Sequence, residues 1–453
     1  MEERKYPPRR AVRAWILFDW AAQPFFTLVT TFVFAPFFAA ALATNPATGQ
    51  AVWGYATGFA GLCIALLSPV LGAIADKGGS RKPWIAVFGA MLVAGSALLW
   101  FAAPGAQHAV TIALAGYTVA LIGAEFATVF NNAMMPTLVP PDRIGRLSGT
   151  GWAMGYLGGL VSLALTLGFL AANPDTGQTI LGVAPAFGLD AATRAGDRAS
   201  GPLSALWFVV FVLPMFLLTP DRPKAMALGL AVREGLRELK ATLATLLRPE
   251  RRQLATFLLA NMIYADALAA LFAFGGIYAA GVFGWGTIKI GLFGILLTVT
   301  GTLGAWFGGK LDDRIGSRAV IAGSLMTLMF ACFAIMGTDR TTILHVWRVA
   351  PPPEGAGLYA GASEKAYVAL GLFIGLVAGP LQAASRSLLC RVAPSEAIGQ
   401  YFGLFALSGK VTSFAGPLLV AIATQAFGAQ QAGLGVLFAM FAAGLIVLSR
   451  MRG

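Results

Sequence analysis

The stretch Gly72-Ala-Ile-Ala-Asp76-Lys77-Gly78-Gly79-Ser80-Arg81-Lys82 closes one long apolar segment and opens the next. It returns once, 237 residues on, as Gly309-Lys-Leu-Asp-Asp313-Arg314-Ile-Gly316-Ser317-Arg318. Each copy reads Gly, Asp four residues later, Gly three after that, then Ser-Arg. Spacing kept over such a distance predicts a chain of two related halves. Further matches agree. Asp19 and Asp266 are 247 residues apart, and Phe25 and Phe272 share that offset. Pro140-Pro-Asp142-Arg-Ile-Gly145-Arg-Leu-Ser-Gly149 is echoed 254 residues later by Pro394-Ser-Glu396-Ala-Ile-Gly399-Gln-Tyr-Phe-Gly403. An insertion at 338–364 accounts for the drift in offset.

The 453 residues are 57% hydrophobic and 11% charged, with a mean hydropathy of +0.75. Soluble domains carry about 25% charged residues, so the composition is that of an all-α integral membrane protein. Its apolar segments are long enough for a bilayer core of roughly 30 Å and lack the alternation of barrel strands. The 55 glycines suit close helix contacts in lipid. Twelve helices are expected, at about 13–42, 51–75, 83–103, 109–131, 148–171, 203–219, 254–281, 287–309, 319–337, 366–387, 399–427 and 431–449. They divide into six-helix, pseudo-symmetric halves, 1–219 and 254–453, joined by a linker at 220–253. The external segments 172–201 and 338–364, rich in Gly, Pro, Asp and Ala, are expected to be irregular.

The net charge of +12 raises the question of nucleic acid, and its distribution argues against it. Of the Lys and Arg residues, 25 fall in the terminal segments and even-to-odd loops, against six on the opposite side. That asymmetry predicts cytoplasmic termini and attraction to an anionic inner leaflet. In the linker, Leu236, Leu239 and Leu243 recur at helical spacing, which predicts an amphipathic helix on the inner membrane surface. Cys63, Cys332 and Cys390 lie within or at the end of apolar segments and make neither a disulfide framework nor a metal site. No small-residue cleavage site follows the first apolar run, so that run is expected to stay as a helix.

The repeated loop has a mechanical reading. Small residues let two helix ends approach, and Asp and Arg make charged contacts that break when the halves part. Its gate residues are Gly72, Asp76, Gly79 and Arg81, with Gly309, Asp313, Arg314, Gly316 and Arg318 in the second copy and Arg386 at the end of helix 10. The pattern resembles the signature loop of the major facilitator superfamily. Other stretches narrow that resemblance. Trp15-Ile-Leu-Phe-Asp19-Trp20-Ala-Ala-Gln-Pro-Phe25 is similar to helix 1 of the autophagy-related vacuolar effluxer family and its bacterial relatives. Asn261-Met-Ile-Tyr264-Ala-Asp266 with Phe272-Ala-Phe274-Gly-Gly-Ile-Tyr278 resembles that group's helix 7. Gln382-Ala-Ala-Ser385-Arg386-Ser387, Phe402-Gly403, Gly409-Lys410 and Gly416-Pro417 resemble helices 10 and 11. Asn131-Asn132-Ala-Met-Met-Pro136 and Gly151-Trp152-Ala-Met-Gly155-Tyr156 resemble the helix 4–5 region. The fungal members export amino acids from the vacuole, so the resemblance implies export of a small polar solute by alternating access. The first loop copy departs from the superfamily pattern, with Lys77 where Arg is usual and an added Gly78, which implies a weaker clasp there.

Away from the loops, Asp19, Glu125 and Asp266 are the acidic residues inside predicted spans, and Lys410 lies inside helix 11. Intramembrane charge is costly and marks function by default. At 1.5 Å per residue, Asp266 lies about 18 Å and Lys410 about 16 Å into their helices. They could meet the charges of a zwitterionic substrate, Asp266 could carry a proton, or the two could form a buried ion pair. Asp19 is shallower and is expected near Arg13 or the helix 4–5 loop. Gln23, Asn132, Trp152, Tyr156, Asn261, Tyr264 and Gln382 complete the candidate substrate or proton residues. A broad-specificity drug or cation exporter of the same fold is the close competitor. A membrane-embedded enzyme lacks the needed cluster, since His108 and His345 lie near external ends. No phosphate-cradling Gly-x-x-x-x-Gly-Lys-Ser/Thr motif supports direct ATP drive. A channel suits the two-half repeat less well, and a non-transporting receptor would be told apart by flux. No cofactor or metal is expected. The partners are lipid, a small-molecule substrate and protons, with no nucleic acid, and the chain is expected to be a monomer. Compact loops and an Ala/Gly/Arg-rich composition point to a bacterial inner membrane.

Overall fold

The computed structural model describes residues 6–246, 248–285, 287–351 and 357–451. Arg4, Lys5 and Arg452 of the charge count, Leu247 of the linker, Gly286, and 352–356 of the second external segment lie outside the described residues. Among the described residues, twelve helical spans are long and apolar enough to cross a membrane. The protein is a multi-pass integral membrane protein.

The first span is α1 (Arg9–Pro24), widened turns over Phe25–Phe32, α2 (Phe34–Phe37), and a second widened stretch at Phe38–Leu42. Pro36 has no N–H to give. The Thr31 hydroxyl follows the wider spacing and donates to Phe26 O, five residues back, at 2.9 Å. The single helix expected at 13–42 is therefore interrupted. Then follow α3 (Pro46–Gly78), α4 (Lys82–Leu98), α5 (Ala109–Asn132) and α6 (Met135–Leu138). Next are α7 (Ile144–Leu165), continued by widened turns Thr166–Leu170, and α8 (Ala195–Leu218). α8 starts eight residues before the expected 203. Arg194 forks onto Asp197 at its head, through Nε at 2.8 Å and Nη2 at 2.9 Å. The added turns are polar, which is why hydropathy missed them.

The linker helix is α9 (Leu228–Thr245). Then come α10 (Arg252–Phe283), α11 (Thr287–Ile315), α12 (Ser317–Met336) and α13 (Ala362–Val392). The eleventh span, expected as one helix at 399–427, is two: α14 (Ile398–Lys410) and α15 (Ala415–Phe427). Pro417 removes one ladder donor. The chain ends on α16 (Gln430–Ser449). The second external segment is less irregular than expected, with β1 (Thr342–Ile343) antiparallel to β2 (Trp347–Arg348). Asp339 starts that hairpin by accepting the N–H groups of Thr341 and Thr342 at 2.7 and 2.8 Å. The Thr341 N–H above all holds the Asp339 carboxyl below its ordinary pKa.

The chain forms two compact units. Unit 1 holds Met1–Pro140, Met154–Leu239 and the short segment Glu396–Gly403. Unit 2 holds Pro141–Ala153, Lys240–Ser395 and Leu404–Gly453. Each unit thus contains a few turns contributed by the opposite half of the sequence. Their cores are built from small and apolar side chains. In unit 1, α4 and α5 approach so closely that a methyl group on Gly95 would lie 2.5 Å from Gly116 O.

Candidate functional site

The repeated loops supply a matched pair of polar contacts. In unit 1, Asp76 stands in the last turn of α3. Its Oδ1 accepts the Gly399 N–H at 3.0 Å, and its Oδ2 accepts the Gln400 N–H at 2.7 Å. These amides open α14, where a helix leaves its first donors unbonded and its dipole favours an anion. Gly72, one turn back, permits the approach: a methyl there would lie 2.2 Å from Gly399 O. Arg81, 1% exposed, folds under the loop and pairs with Asp76. It also donates to Ala75 O at 2.5 Å. Burial lowers the Arg81 pKa and Asp76 opposes that.

Unit 2 repeats the device. Asp313, near the end of α11, accepts Gly145 N–H at 2.8 Å through Oδ1 and Arg146 N–H at 3.0 Å through Oδ2. Those amides open α7. A methyl on Gly309 would lie 2.6 Å from Gly145 O, as Gly72 faces Gly399. Gly79 and Gly316 turn the chain after each carboxylate with φ of 87° and 86°, a region that favours glycine. Each clasp is thus an Asp on the end of one helix capping the start of another.

The two copies differ in their guanidinium. Arg318 donates to Ser449 O at 2.8 Å, away from Asp313. Arg314 is exposed. Arg391 of α13 takes the place they were expected to fill, reaching Asp313 Oδ1 at 3.2 Å and pairing with Asp312. The reason lies in one substitution between copies. Asp312 stands where the first copy has Ala75, and two adjacent buried carboxylates call for a cation that touches both. Asp312 also accepts the Ser317 hydroxyl at 2.7 Å. Arg386 serves α7 differently. Its Nε and Nη2 donate to Ser148 Oγ and O at 2.9 and 2.7 Å, and its guanidinium lies 5.8 Å from the Trp152 ring centroid. Lys77, the departure in the first copy, takes no part in the clasp and pairs with Glu238 of α9 at 2.8 Å. Asp221, unmarked by the sequence reading, caps α4 by accepting Ser80 Oγ at 2.5 Å, Arg81 N at 2.9 Å and Lys82 N at 2.8 Å.

The candidate intramembrane residues fall into two sets. In unit 1, Asp19, Gln23, Glu125, Asn132 and Tyr156 are all half-buried. Asp19 and Gln23 flank Gly155 of α7, so Asp19 faces a helix rather than only the loop before it. In unit 2, Trp152, Gln382 and Lys410 are half-buried, while Asn261, Tyr264 and Asp266 are buried. Asn261 donates to Ser408 Oγ at 3.0 Å, and Tyr264 bonds Ser385 Oγ at 2.7 Å. Gln382 donates to Ala378 O at 3.2 Å.

Asp266 is 3% exposed. Its Oδ2 accepts the Gly416 N–H at 2.9 Å, and its Oδ1 has no partner among the described residues. Gly416 is the second residue of α15. In an unbroken helix its N–H would bond Thr412 O. The carboxylate has taken that donor, and the eleventh span is broken where it does so. Lys410 closes α14 on the other side of the break. Each charge sits at the helix end of opposite sign, a favourable place for it. The direct Asp266–Lys410 ion pair is not formed, since Asp266 pairs with no cation among the described residues. Nor do the described residues hold a cluster of His, Cys, Asp and Glu able to bind a metal.

Twelve spans, a duplicated half and a clasp in each copy define the major facilitator fold. Solved structures agree. The chain aligns with the E. coli fucose:proton symporter FucP at a TM-score of 0.68, with 16% identity over 98% of both chains. It aligns with the human organic anion transporter MFSD10 at 0.69, with 16% identity over 98% of this chain and 100% of that one. Within the superfamily, the chain belongs to the vacuole effluxer Atg22-like family, whose profile matches residues 43–452. An uncharacterized MFS-type transporter of Bacillus subtilis, YxiO, is 26% identical over 96% of this chain and 93% of its own length. Autophagy-related protein 22 of Cryptococcus neoformans is 24% identical over 68% of this chain. This chain covers half of that fungal relative's length.

Proposed function

We propose that this protein is a secondary active transporter that exports a small polar solute, an amino acid or related metabolite, by alternating access. Protons are the coupling ion, the chain works as a monomer, and its membrane is a bacterial inner membrane with both termini cytoplasmic. The observation that carries the reading is the pair of matched clasps. A carboxylate capping the first free amides of a helix from the other sequence half is strong enough to hold one state. It is also made of contacts that part cleanly when that helix moves. The polar and half-buried groups of each unit, Gln23 and Tyr156 in one and Gln382 and Lys410 in the other, suit a hydrophilic substrate. Family membership and the name of the fungal relatives' family support export. The broken eleventh span, with Asp266 at one side and Lys410 at the other, supports coupling, because half-helix ends in transporters commonly bind charge.

The test is flux in proteoliposomes loaded with single amino acids, with and without an imposed pH gradient. Proton-driven movement of an amino acid, lost when both Asp76 and Asp313 are replaced, supports the proposal. Movement of lipophilic cations alone moves the assignment to a drug exporter. No flux of any solute overturns the transport reading.

A further inference from the structure

The linker helix α9 presents four faces. The first is packed: Ala231, Gly235, Leu239 and Thr242 are buried at helical spacing. Gly235 meets the backbone of Ala73 and Ile74 so closely that a methyl there would lie 2.9 Å from Ala73 C. The second is acidic, where Glu238 pairs with Lys77. The third is apolar and open. Leu236 and Leu243 are 44% and 50% exposed, and they share one side of the helix. Arg233, Arg237 and Lys240, all exposed, form the next stripe.

The contact with Ala73 and Ile74 sets α9 beside the last two turns of α3, a helix long and apolar enough to cross a membrane. α3 has 33 residues, more than a bilayer core of roughly 30 Å requires, so its end and α9 beside it are expected at headgroup depth. An exposed leucine stripe bordered by cations, held at that depth, matches an anionic bilayer surface: leucines enter the acyl boundary and guanidinium and ammonium groups meet phosphates. The acidic flank is turned to Lys77 and away from those phosphates.

We infer that α9 is an anionic-lipid docking surface, which anchors to the membrane the end of α3 that carries Asp76. The linkage is short. α9 touches α3 at Ala73 and Lys77, on either side of Asp76, and Ala225 N donates to Gly78 O at 2.9 Å. The inference does not depend on the identity or existence of a transported solute.

The test uses the full-length chain with Cys63, Cys332 and Cys390 replaced, carrying an environment-sensitive label at Leu236→Cys, Leu243→Cys or, as control, Ala241→Cys. The protein is reconstituted in bilayers where the brominated quencher lipid is either phosphatidylglycerol or phosphatidylcholine at equal mole fraction. Quenching at 236 and 243 that is stronger with the anionic lipid, weak at 241, and loses its lipid preference in Arg233→Glu/Arg237→Glu/Lys240→Glu supports the inference. Should the triple variant fail to fold, Arg237→Glu and Lys240→Glu singly give the same reading in part. Labels at 236 and 243 that remain unquenched overturn it, because the stripe then faces water or protein. Equal quenching by both lipids, unaltered by charge reversal, also overturns it, because the contact is then apolar and not selective for anionic headgroups.

Discussion

Replacing Asp313 by Asn removes the charge from the second clasp while keeping its size. The wild-type carboxylate accepts two backbone amides, at 2.8 and 3.0 Å, and Arg391 at 3.2 Å. The nearby Arg146 guanidinium is 3.8 Å away and 60% exposed, so it adds little. Hydrogen bonds to a charged acceptor contribute about 1.5–3 kcal/mol each. An Asn has one acceptor oxygen for the two amides, and its NH2 group would face the other donor. The clasp should weaken by about 2–4 kcal/mol, roughly 30- to 1000-fold in its equilibrium. Hydrogen exchange reads this directly, since the amides of Gly145 and Arg146 are the groups being held. Their protection should fall by that factor in Asp313→Asn and scarcely change in Arg146→Ala. Unchanged protection in Asp313→Asn would refute the reasoning, because the amides would then owe their shielding to burial alone.

Four further outcomes are expected. Gly72→Ala puts a methyl 2.2 Å from Gly399 O and should cost about 1–3 kcal/mol through overpacking, seen as faster exchange at Gly399 and Gln400 with little loss of overall helicity. Asp266→Asn should stay folded, because its amide oxygen can still accept the Gly416 N–H, and should lose pH-driven accumulation in liposomes. Asp266→Ala strands that buried N–H and should be less stable in detergent by about 1–3 kcal/mol. The Asp339 hairpin should be pH-sensitive. Its carboxyl pKa is depressed from 3.8 by the Thr341 amide, so its stabilisation is present above that value and fades as pH falls through the lowered one. Exchange across 338–349 should rise over that acid range in the wild type and be flat in Asp339→Asn.

The fold was largely readable in advance because its signals are redundant. Hydropathy marks each span, and the loop at Gly72 and Gly309 marks the duplication. The breaks were not readable by hydropathy. The stretch from Gly399 to Phe427 is apolar on average despite Gln400, Lys410, Thr412 and Ser413, and Gly416, just past the interruption at 411–414, is held by Asp266, 150 residues away in the chain. Pro417 and Gly409 were the local hints. In the site, Asp76 and Asp313 were found by pattern, but their partners are backbone amides, which carry no side-chain signature. Arg391 lies outside the repeated loop and carries no pattern of its own. Its role follows from Asp312, a second carboxylate that the first copy replaces with Ala75. Asp221 escaped notice because a lone Asp in a polar linker looks like any other.

The eight residues Glu396–Gly403, built into unit 1, have a consequence for biosynthesis. They are made after the other residues of that unit. Until then Gly72 has no helix to lie against, and Asp76 has its own Arg81 but not the amides of Gly399 and Gln400. The earlier segments of unit 1 therefore leave the ribosome before the unit is finished, and are completed by one that follows Leu239 by more than 150 residues. A nascent chain stopped before Glu396 would leave the Asp76 carboxylate without those two amides, and the insertion machinery or lipid headgroups would have to shelter it until that segment arrives.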